Sequence, residues 1–314
     1  MWMTSNCHML KRPWCEKWCN NWSMELRSEG VLDYCGLTLD YTEKGIVKIG
    51  VEHHISETLN DFPEEIGPTR KTPAAEHPFK VDETCTPLNE TRRKLFHSIF
   101  AKLLWIGKKA RPDILVVLSF LGKRIEKAYK DDWKKLVRVL AYLKGTLDLR
   151  LCLGAADTTV VEWWADSSFA VHHDLRSHTG TLGSLGQRAF YSSSKAQKLN
   201  TTSSTVAEVV AAAEVVPQML WTTSYLKHQG CEIDKAVLHQ DNKASILLQK
   251  NGVLSRGKAT RHMDVRFFFI KDRIDSGDID ICFCGTENMT ADFLTKPLQG
   301  NDFNRLRNLL LGTT

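Results

Sequence analysis

The sequence predicts an α/β fold in its second half, a mixed five-stranded sheet flanked by helices, preceded by a mostly helical region. Two patterns predict it. From about residue 160, three short runs of strand-forming residues follow one another closely, and strands and helices then alternate to the end. Between residues 92 and 144, apolar residues recur every three or four positions, which is typical of amphipathic helices. The 314 residues are enough for two domains, each with its own core.

The first half is predicted to pass from an irregular start through a hairpin into three helices. Residues 1–30 lack periodicity, so we expect them to be poorly ordered. Apolar runs at 34–41 and 46–51 flank Thr42-Glu43-Lys44-Gly45, which predicts a β-hairpin. A short helix at 55–62 and an extended, proline-containing connector at 67–87 follow. The three predicted helices lie at 92–109, 112–128 and 131–144, and a strand-like exit lies at 148–153.

The second half is predicted to contain five strands. The predicted elements are strands at 160–165, 179–185 and 188–192, a helix at 205–228 interrupted at Pro217, a strand at 236–239, a helix at 244–250, a basic loop, a helix at 263–276, a strand at 278–284 and a final helix at 288–311. We therefore divide the chain into residues 1–30, 31–155 and 156–314.

Composition narrows the class of protein. No apolar run approaches the roughly 20 residues that span a bilayer, and the start does not resemble a signal peptide, so we expect an intracellular protein without a membrane partner. Whether it acts in a cytoplasmic particle or the nucleus is left open. The nine cysteines form no disulfide framework, and Cys7, His8, Cys15 and Cys19 fit no common zinc spacing, so we expect free thiols.

Positive charge is concentrated in one segment. Residues 89–150 carry sixteen Lys or Arg against six acids, a net charge of +10 within a chain whose net charge is +5. A basic helical segment beside a more acidic domain is typical of a polyanion-binding groove. If the charge is considered by itself, helix faces that are simply exposed to solvent explain it equally well.

Four carboxylates are candidates for a metal site. Asp166 and Asp241 each follow a predicted strand, and the carboxyl ends of strands are where sites form in open α/β sheets. Glu208 lies in the first turn of the long helix and heads an apolar stripe, so it faces the protein. Asp292 begins an amphipathic run.

Each carboxylate also has a simpler explanation. Thr205-Val206-Ala207-Glu208 matches a capping box, so Glu208 could serve only the helix start. Asp292 could only favour a helix dipole, and Asp166 and Asp241 could belong to ordinary polar turns. The four act as one site only if the predicted fold brings them together.

Several motifs occur in an order that resembles a known family. They are Thr179-Gly180, Ser184-Leu185-Gly186, Tyr191-Ser192-Ser193-Ser194-Lys195, Ser203-Ser204-Thr205-Val206-Ala207-Glu208, Gln240-Asp241-Asn242, Thr260-Arg261-His262-Met263-Asp264-Val265-Arg266 and Thr290-Ala291-Asp292-Phe293-Leu294-Thr295-Lys296-Pro297-Leu298. Together they resemble the RNase H domain of Ty1/copia-type retrotransposon Pol polyproteins. Upstream, Asp33-Tyr34-Cys35-Gly36-Leu37, Thr72-Pro73-Ala74, Lys102-Leu103-Leu104-Trp105, Arg111-Pro112-Asp113-Ile114 and Tyr142-Leu143-Lys144-Gly145-Thr146 resemble the palm end, thumb and connection of the matching reverse transcriptase.

The resemblance implies an RNase H-like fold and its chemistry. Asp166, Glu208, Asp241 and Asp292 would be both catalytic and metal-binding, holding two Mg²⁺ ions, or Mn²⁺, to cut the RNA strand of an RNA–DNA hybrid. Glu208 would also sense the ribose 2′-OH. Nucleic acid would be gripped by the basic helices and by a further set of side chains: Arg176, Lys195, Asn242, Lys258, Arg261 and His262. Other parts of the retroelement polyprotein are expected partners. His262 is equally suited to capping the helix that follows it.

Two departures from the family matter. The Tyr-x-Asp-Asp active-site turn of the reverse transcriptases belongs upstream of the region that matches here. Asp131-Asp132, which follows Tyr129 and Lys130, lies in the wrong place for it and opens a predicted helix, so we expect no polymerase activity from residues 31–155. Val206 stands where the family usually has Glu. This change leaves the predicted metal ligand intact, because the metal-binding Glu of the family corresponds to Glu208. The alternatives are a catalytically silent remnant that only binds nucleic acid, and another RNase H-fold nuclease such as an integrase or a resolvase. A metabolic α/β enzyme lacks support because the chain has no glycine-rich phosphate loop.

Overall fold

The computed structural model describes residues 30–154, 159–186, 188–251 and 261–313, and for 261–264 the backbone alone. Three parts of the prediction therefore lie outside the described residues: the N-terminus over 1–29 with Cys7, Cys15 and Cys19, most of the basic loop with Lys258, and the side chains of Arg261 and His262. The six cysteines within the described residues are free thiols. Within the same residues, no helix has both the length and the apolar character to cross a membrane.

The first half contains a four-stranded antiparallel sheet. Its strands are β1 (Val31–Tyr34), β2 (Leu37–Asp40), β3 (Ile46–Gly50) and β4 (Leu151–Gly154), in that spatial order. The β2–β3 hairpin confirms the predicted one. A second hairpin was missed: β1 and β2 are joined at Cys35 and Gly36, whose φ angles of 49° and 77° suit a tight two-residue turn. The predicted strand-like exit is β4, which pairs with β3.

Four helices follow this sheet's first three strands. They are α1 (Glu52–Asn60), α2 (Glu90–Lys109), α3 (Leu115–Gly122) and α4 (Lys130–Lys144). The prediction of one helix over 112–128 is wrong, because α3 is flanked by separate 3₁₀ turns at Pro112–Ile114 and Ile125–Lys127. Ala128 is already extended, and its carbonyl accepts a hydrogen bond from the Leu88 N–H at 2.9 Å. That contact turns the chain before α4.

A five-stranded mixed sheet forms the second half. Its strands are β5 (Val160–Ser168), β6 (His178–Ser184), β7 (Ala189–Ala196), β8 (Lys235–Gln240) and β9 (Asp280–Phe283), in the order β7-β6-β5-β8-β9. The first three pair antiparallel, whereas β8 is parallel to both β5 and β9. The helices are α5 (Ser204–His228), α6 (Lys243–Asn251), α7 (Arg261–Asp275) and α8 (Gly300–Leu311). The predicted fold class is confirmed.

Two predicted helices in this half have different bounds. The break at Pro217 is wrong, because α5 runs through the proline. A proline inside a helix costs about 3 kcal/mol, but Val215, Val216 and Met219 around it are almost fully buried, and their packing outweighs the lost hydrogen bond. The helix predicted over 288–311 is also wrong at its start. Short 3₁₀ turns at Thr286–Asn288 and Thr290–Leu294 precede Pro297, and α8 begins only at Gly300.

The two faces of the five-stranded sheet pack against different partners. On one face, Val161, Trp163 and Ala165 of β5 share a core with α5 and α7. On the other face, Leu182 and Ala189 belong to a core that includes α8 and the buried residues of α2, α3 and α4. This second core therefore crosses the boundary that we place at residues 155 and 156, and the division into domains stays a prediction.

Candidate metal and catalytic site

Strand register places Asp166 beside Asp241. The prediction that Asp166 follows its strand is wrong, since β5 continues to Ser168 and pairs Asp166 with Gly180 of β6. The parallel ladder pairs Trp164 of β5 with His239 of β8. Because side chains of a strand alternate between faces, Asp166 and Asp241, each two residues further on, lie side by side on one face.

Glu208 approaches from α5 and is held by the backbone after Asp166. One of its carboxylate oxygens accepts hydrogen bonds from the Ser167 N–H at 3.0 Å and from the Ser167 hydroxyl at 2.9 Å. The capping-box explanation is wrong, because Ser203 caps α5 by accepting from the Val206 N–H at 3.2 Å. The fifth residue of the helix thus faces the sheet with its carboxylate.

These carboxylates converge closely enough to hold a metal ion. One ligand oxygen each from Asp166, Glu208 and Asp241 lies within 4.8 Å of the others. Asp166 and Glu208 are buried, with 3% and 4% of their surface exposed. Carboxylate oxygens are the hard ligands that Mg²⁺ and Mn²⁺ prefer, so the donor set fits such a cation.

Asp292 lies next to Asp166, on a segment that packs directly on the sheet, but it is not one of the three carboxylates whose ligand oxygens converge within 4.8 Å. It belongs to the 3₁₀ turn at Thr290–Leu294 and faces Asp166. A side chain at Gly180 would exclude this segment, because a Cβ there would lie 2.6 Å from Thr295 Cγ2 and 2.8 Å from the Ala291 carbonyl oxygen. Glycine at this strand position is what admits the fourth carboxylate.

The burial of like charges raises the pKa values of the cluster. Burial is the main cause at Asp166, whose pKa is raised to about 6. Burial, followed by the Asp166 charge, raises the pKa of Glu208 to about 8. The pKa of Asp241 is also raised, again chiefly by burial and then by Asp166. Such shifts are expected where negative charges are gathered for a cation to neutralise.

One lysine supplies positive charge inside the cluster. The Lys296 ammonium lies 2.8 Å from Asp292 Oδ1. Burial alone would lower the pKa of Lys296, but the charges of Asp166, Asp292 and Asp241 raise it. Lys296 was missed as a site residue by the sequence analysis, as were Ser167 and Thr295. The sequence contained a signal for all three, since Ser167 adjoins the predicted ligand Asp166, and Thr295 and Lys296 lie in the motif that begins at Thr290 and contains Asp292.

The candidate nucleic-acid residues are only partly free to bind. Arg176 pairs with Asp174 at 3.4 Å, and Lys195 pairs with Glu214 at 3.4 Å; both side chains stay nearly half exposed. Asn242 caps α6, since its Oδ1 accepts from the Ser245 N–H at 3.0 Å. The side chain of Asn242 thus already has a structural role at the start of α6, and a contact with nucleic acid would have to use its remaining hydrogen-bonding groups.

The basic segment is partly neutralised by ion pairs. Eight of its sixteen Lys and Arg residues pair with acids: Arg92, Lys94, Lys102, Arg111, Lys123, Arg124, Lys135 and Arg150. Within this fully described segment, eight cations have no ion pair: Arg93, Lys108, Lys109, Lys127, Lys130, Lys134, Arg138 and Lys144. The predicted polyanion-binding groove would therefore depend on this unpaired half of the cations.

Strand order and site together define the class of protein. A five-stranded mixed sheet ordered β7-β6-β5-β8-β9, with carboxylates on β5, on α5 and after β8, is an RNase H-like fold, as the sequence analysis expected.

Comparison with curated proteins then gives the relatives of the chain, which are Ty1/copia-type Pol polyproteins. It is 28% identical over 264 residues to the retrovirus-related Pol polyprotein from transposon TNT 1-94 of Nicotiana tabacum, covering 82% of this chain and 20% of that protein. The Pol polyprotein from transposon RE2 of Arabidopsis thaliana is 30% identical over 190 residues, covering 60% and 13%. The Ty1-JR2 Gag-Pol polyprotein of Saccharomyces cerevisiae is 25% identical over 292 residues, covering 88% and 16%. The chain thus spans a fifth or less of the length of these relatives.

Comparison with solved structures gives distant likenesses. An LC11-RNase H1 isolated from compost is 13% identical with a TM-score of 0.34, covering 44% of this chain and 93% of that one. The foamy viral protease-reverse transcriptase in complex with dsDNA is 8% identical with a TM-score of 0.44, covering 82% and 45%. No family profile matches the chain.

Proposed function

We propose that this chain is an RNase H-type endonuclease that hydrolyses the RNA strand of RNA–DNA hybrids with the help of two divalent cations. The observation that carries the proposal is the convergence of Asp166, Glu208 and Asp241 ligand oxygens within 4.8 Å. The retrotransposon Pol polyproteins among its relatives support the proposal, because they agree with the resemblance of its motifs to the RNase H domain of such polyproteins.

The residues of the chain have separate roles in this proposal. Asp166, Glu208, Asp241 and Asp292 would hold the cations, with Asp166 central because it faces the other three carboxylates. Two Mg²⁺ or Mn²⁺ ions, when bound, would lower the pKa of the attacking water and stabilise the leaving 3′ oxygen, so that the product carries a 5′ phosphate. Glu208 would face the 2′-OH of the ribose, the group that distinguishes RNA from DNA.

Substrate binding would rest on the unpaired cations of residues 89–150 and on Arg176 and Lys195. Contacts with phosphates are independent of base sequence and weaken as salt increases. Polymerase activity is not part of the proposal. The one Tyr-x-Asp-Asp string in the sequence, Tyr129-Lys130-Asp131-Asp132, opens α4, where Asp132 Oδ2 accepts a hydrogen bond from the Tyr129 N–H at 2.8 Å. Other parts of the retroelement polyprotein are proposed as partners.

The test is cleavage of a labelled RNA–DNA hybrid in the presence and absence of Mg²⁺. We expect Mg²⁺-dependent cutting of the RNA strand by the wild-type chain, and loss of cutting in Asp166→Asn, which keeps the shape of the side chain. Asp280→Asn, on β9 and outside the cluster, is the matched control and should cut normally.

Three other results would contradict this proposal. No cutting by the wild type, with hybrid still bound, would favour the silent remnant. Equal cutting by Asp166→Asn would rule out the carboxylate site. Cutting of DNA-only duplexes in preference to hybrid would favour an integrase-like or resolvase-like nuclease.

A further inference from the structure

The Thr295 side chain is buried against the strand that carries Asp166. Its hydroxyl donates a hydrogen bond to Asp166 Oδ2, across 129 residues of sequence. Thr295 has no exposed surface. The same hydroxyl also lies 3.3 Å from the Asp292 carbonyl oxygen, a longer contact with a neutral acceptor. Hydrogen bonds to a charged acceptor are the stronger ones, so the hydroxyl favours one direction of the Asp166 carboxylate, which would lose this donor if it turned away.

Three further contacts hold Thr295 in place. Its N–H donates to the Asp292 carbonyl at 3.2 Å, and its own carbonyl accepts from the Ser168 hydroxyl at 3.3 Å. Its methyl group lies over Gly180, where a Cβ would come within 2.6 Å of it. Thr295 therefore joins the segment that carries Asp292 to the strand that carries Asp166.

Resting on the function proposed above, we propose that Thr295 is a positioning residue of the metal site, and that its hydroxyl orients Asp166 for cation binding. Groups that orient metal ligands without touching the metal typically change metal affinity or activity by 10- to 100-fold when they are removed. Thr295 has the geometry of such a group, since its hydroxyl contacts a carboxylate oxygen of the predicted ligand Asp166. Thr295 also belongs to the motif that contains Asp292.

Four variants separate the hydroxyl from the methyl group. Thr295→Val keeps the shape and removes the hydroxyl, Thr295→Ser keeps the hydroxyl and removes the methyl group, and Thr295→Ala removes both. Thr290→Val is the matched control, because Thr290 begins the 3₁₀ turn that ends just before Thr295, and its buried hydroxyl has no hydrogen-bond partner among the described residues.

The measurement is calorimetric titration of Mg²⁺ into metal-free protein, with hybrid cleavage recorded alongside. We expect the Mg²⁺ dissociation constant of Thr295→Val and Thr295→Ala to rise roughly 10- to 100-fold, and that of Thr295→Ser and Thr290→Val to stay within about threefold of wild type. Cleavage by Thr295→Val should recover in large part as Mg²⁺ is raised. Thermal unfolding of each variant shows that it is folded.

The inference is overturned if the methyl group, and not the hydroxyl, sets the Mg²⁺ affinity. In that case Thr295→Val would bind Mg²⁺ as tightly as the wild type, and Thr295→Ser would bind it as weakly as Thr295→Ala. Because the Ser and Ala variants report on the hydroxyl without a β-branched side chain, the comparison holds even if Thr295→Val does not fold. A wild-type chain that binds no Mg²⁺ would instead contradict the proposed function itself, which a wild-type titration reveals before any variant is made.

Discussion

Ser167 donates both its backbone N–H and its hydroxyl to the same oxygen of Glu208, at 3.0 and 2.9 Å. Since Ser167 directly follows Asp166, this pair of hydrogen bonds fixes the distance between the strand carboxylate and the helix carboxylate. Two of the clustered carboxylates thus accept hydrogen bonds from neighbouring residues, Glu208 from Ser167 and Asp166 from Thr295.

Replacing Ser167 by alanine should weaken the site only partly. The hydroxyl is lost but the backbone N–H remains, so we expect Mg²⁺ affinity to fall about fivefold, the equivalent of one net hydrogen bond of about 1 kcal/mol. Calorimetric titration checks this. Ser276→Ala, at an exposed position after α7, is the control. If Ser167→Ala lost as much Mg²⁺ affinity as Asp166→Asn, the remaining hydrogen bond from the Ser167 N–H would contribute nothing to holding Glu208.

The metal-free protein should become less stable as pH rises from about 4 to about 8. The folded pKa values of about 6 for Asp166 and about 8 for Glu208 lie above those of the unfolded chain, so the folded state binds more protons throughout this window. Stability from these groups is therefore present at low pH and lost as pH rises. Bound Mg²⁺ should remove the loss, because it neutralises the same carboxylates.

Thermal unfolding with a chelator, at about pH 5.5 and about pH 8.5, measures this effect. Other acids also titrate, so the informative quantity is the difference in melting temperature between Glu208→Gln and wild type. We expect the melting temperature of Glu208→Gln to increase relative to that of the wild type as pH rises. A difference that does not change with pH would contradict the raised pKa of Glu208, because the folded and unfolded states would then bind equal numbers of protons at this residue.

Replacing Gly180 by alanine should displace the segment that carries Asp292. The new Cβ would meet Thr295 Cγ2 at 2.6 Å and the Ala291 carbonyl at 2.8 Å. Overpacking of this kind costs about 1–3 kcal/mol, and chemical denaturation should show it together with weaker Mg²⁺ binding. Gly154→Ala is the control, since its nearest neighbour would be at 3.3 Å. Unchanged Mg²⁺ binding would place Asp292 outside the metal site.

Residues 156–314 alone should not unfold as one cooperative unit. One face of their sheet, with Leu182 and Ala189, shares its core with α2, α3 and α4, so removing the first half would expose a continuous apolar surface. We expect binding of a hydrophobic dye and a broad thermal transition. A sharp transition at the melting temperature of the whole chain would instead support an independent domain that begins at residue 156.

Local sequence patterns predicted most of the elements and the four carboxylates. Strand and helix periods are properties of short windows, and Asp166, Glu208, Asp241 and Asp292 are recognisable from the motifs that contain them. The five-stranded sheet and the hairpin at β2 and β3 follow from the same patterns. The end of the strand that carries Asp166 was predicted three residues too early, at 165 instead of Ser168, and this error does not move Asp166 away from Glu208 and Asp241.

Only the tertiary structure decided how these parts are held together. Local rules put a break at Pro217 and a continuous helix over 288–311, and packing reversed both. Contacts such as Thr295 to Asp166 and Ser167 to Glu208 join residues 129 and 41 positions apart. No local period encodes such a contact, because it depends on strand register and on the space that Gly180 leaves open. The sequence by itself thus determined which carboxylates are candidates for a metal site. The tertiary structure decided that the ligand oxygens of Asp166, Glu208 and Asp241 converge, and which hydroxyl groups contact the carboxylates.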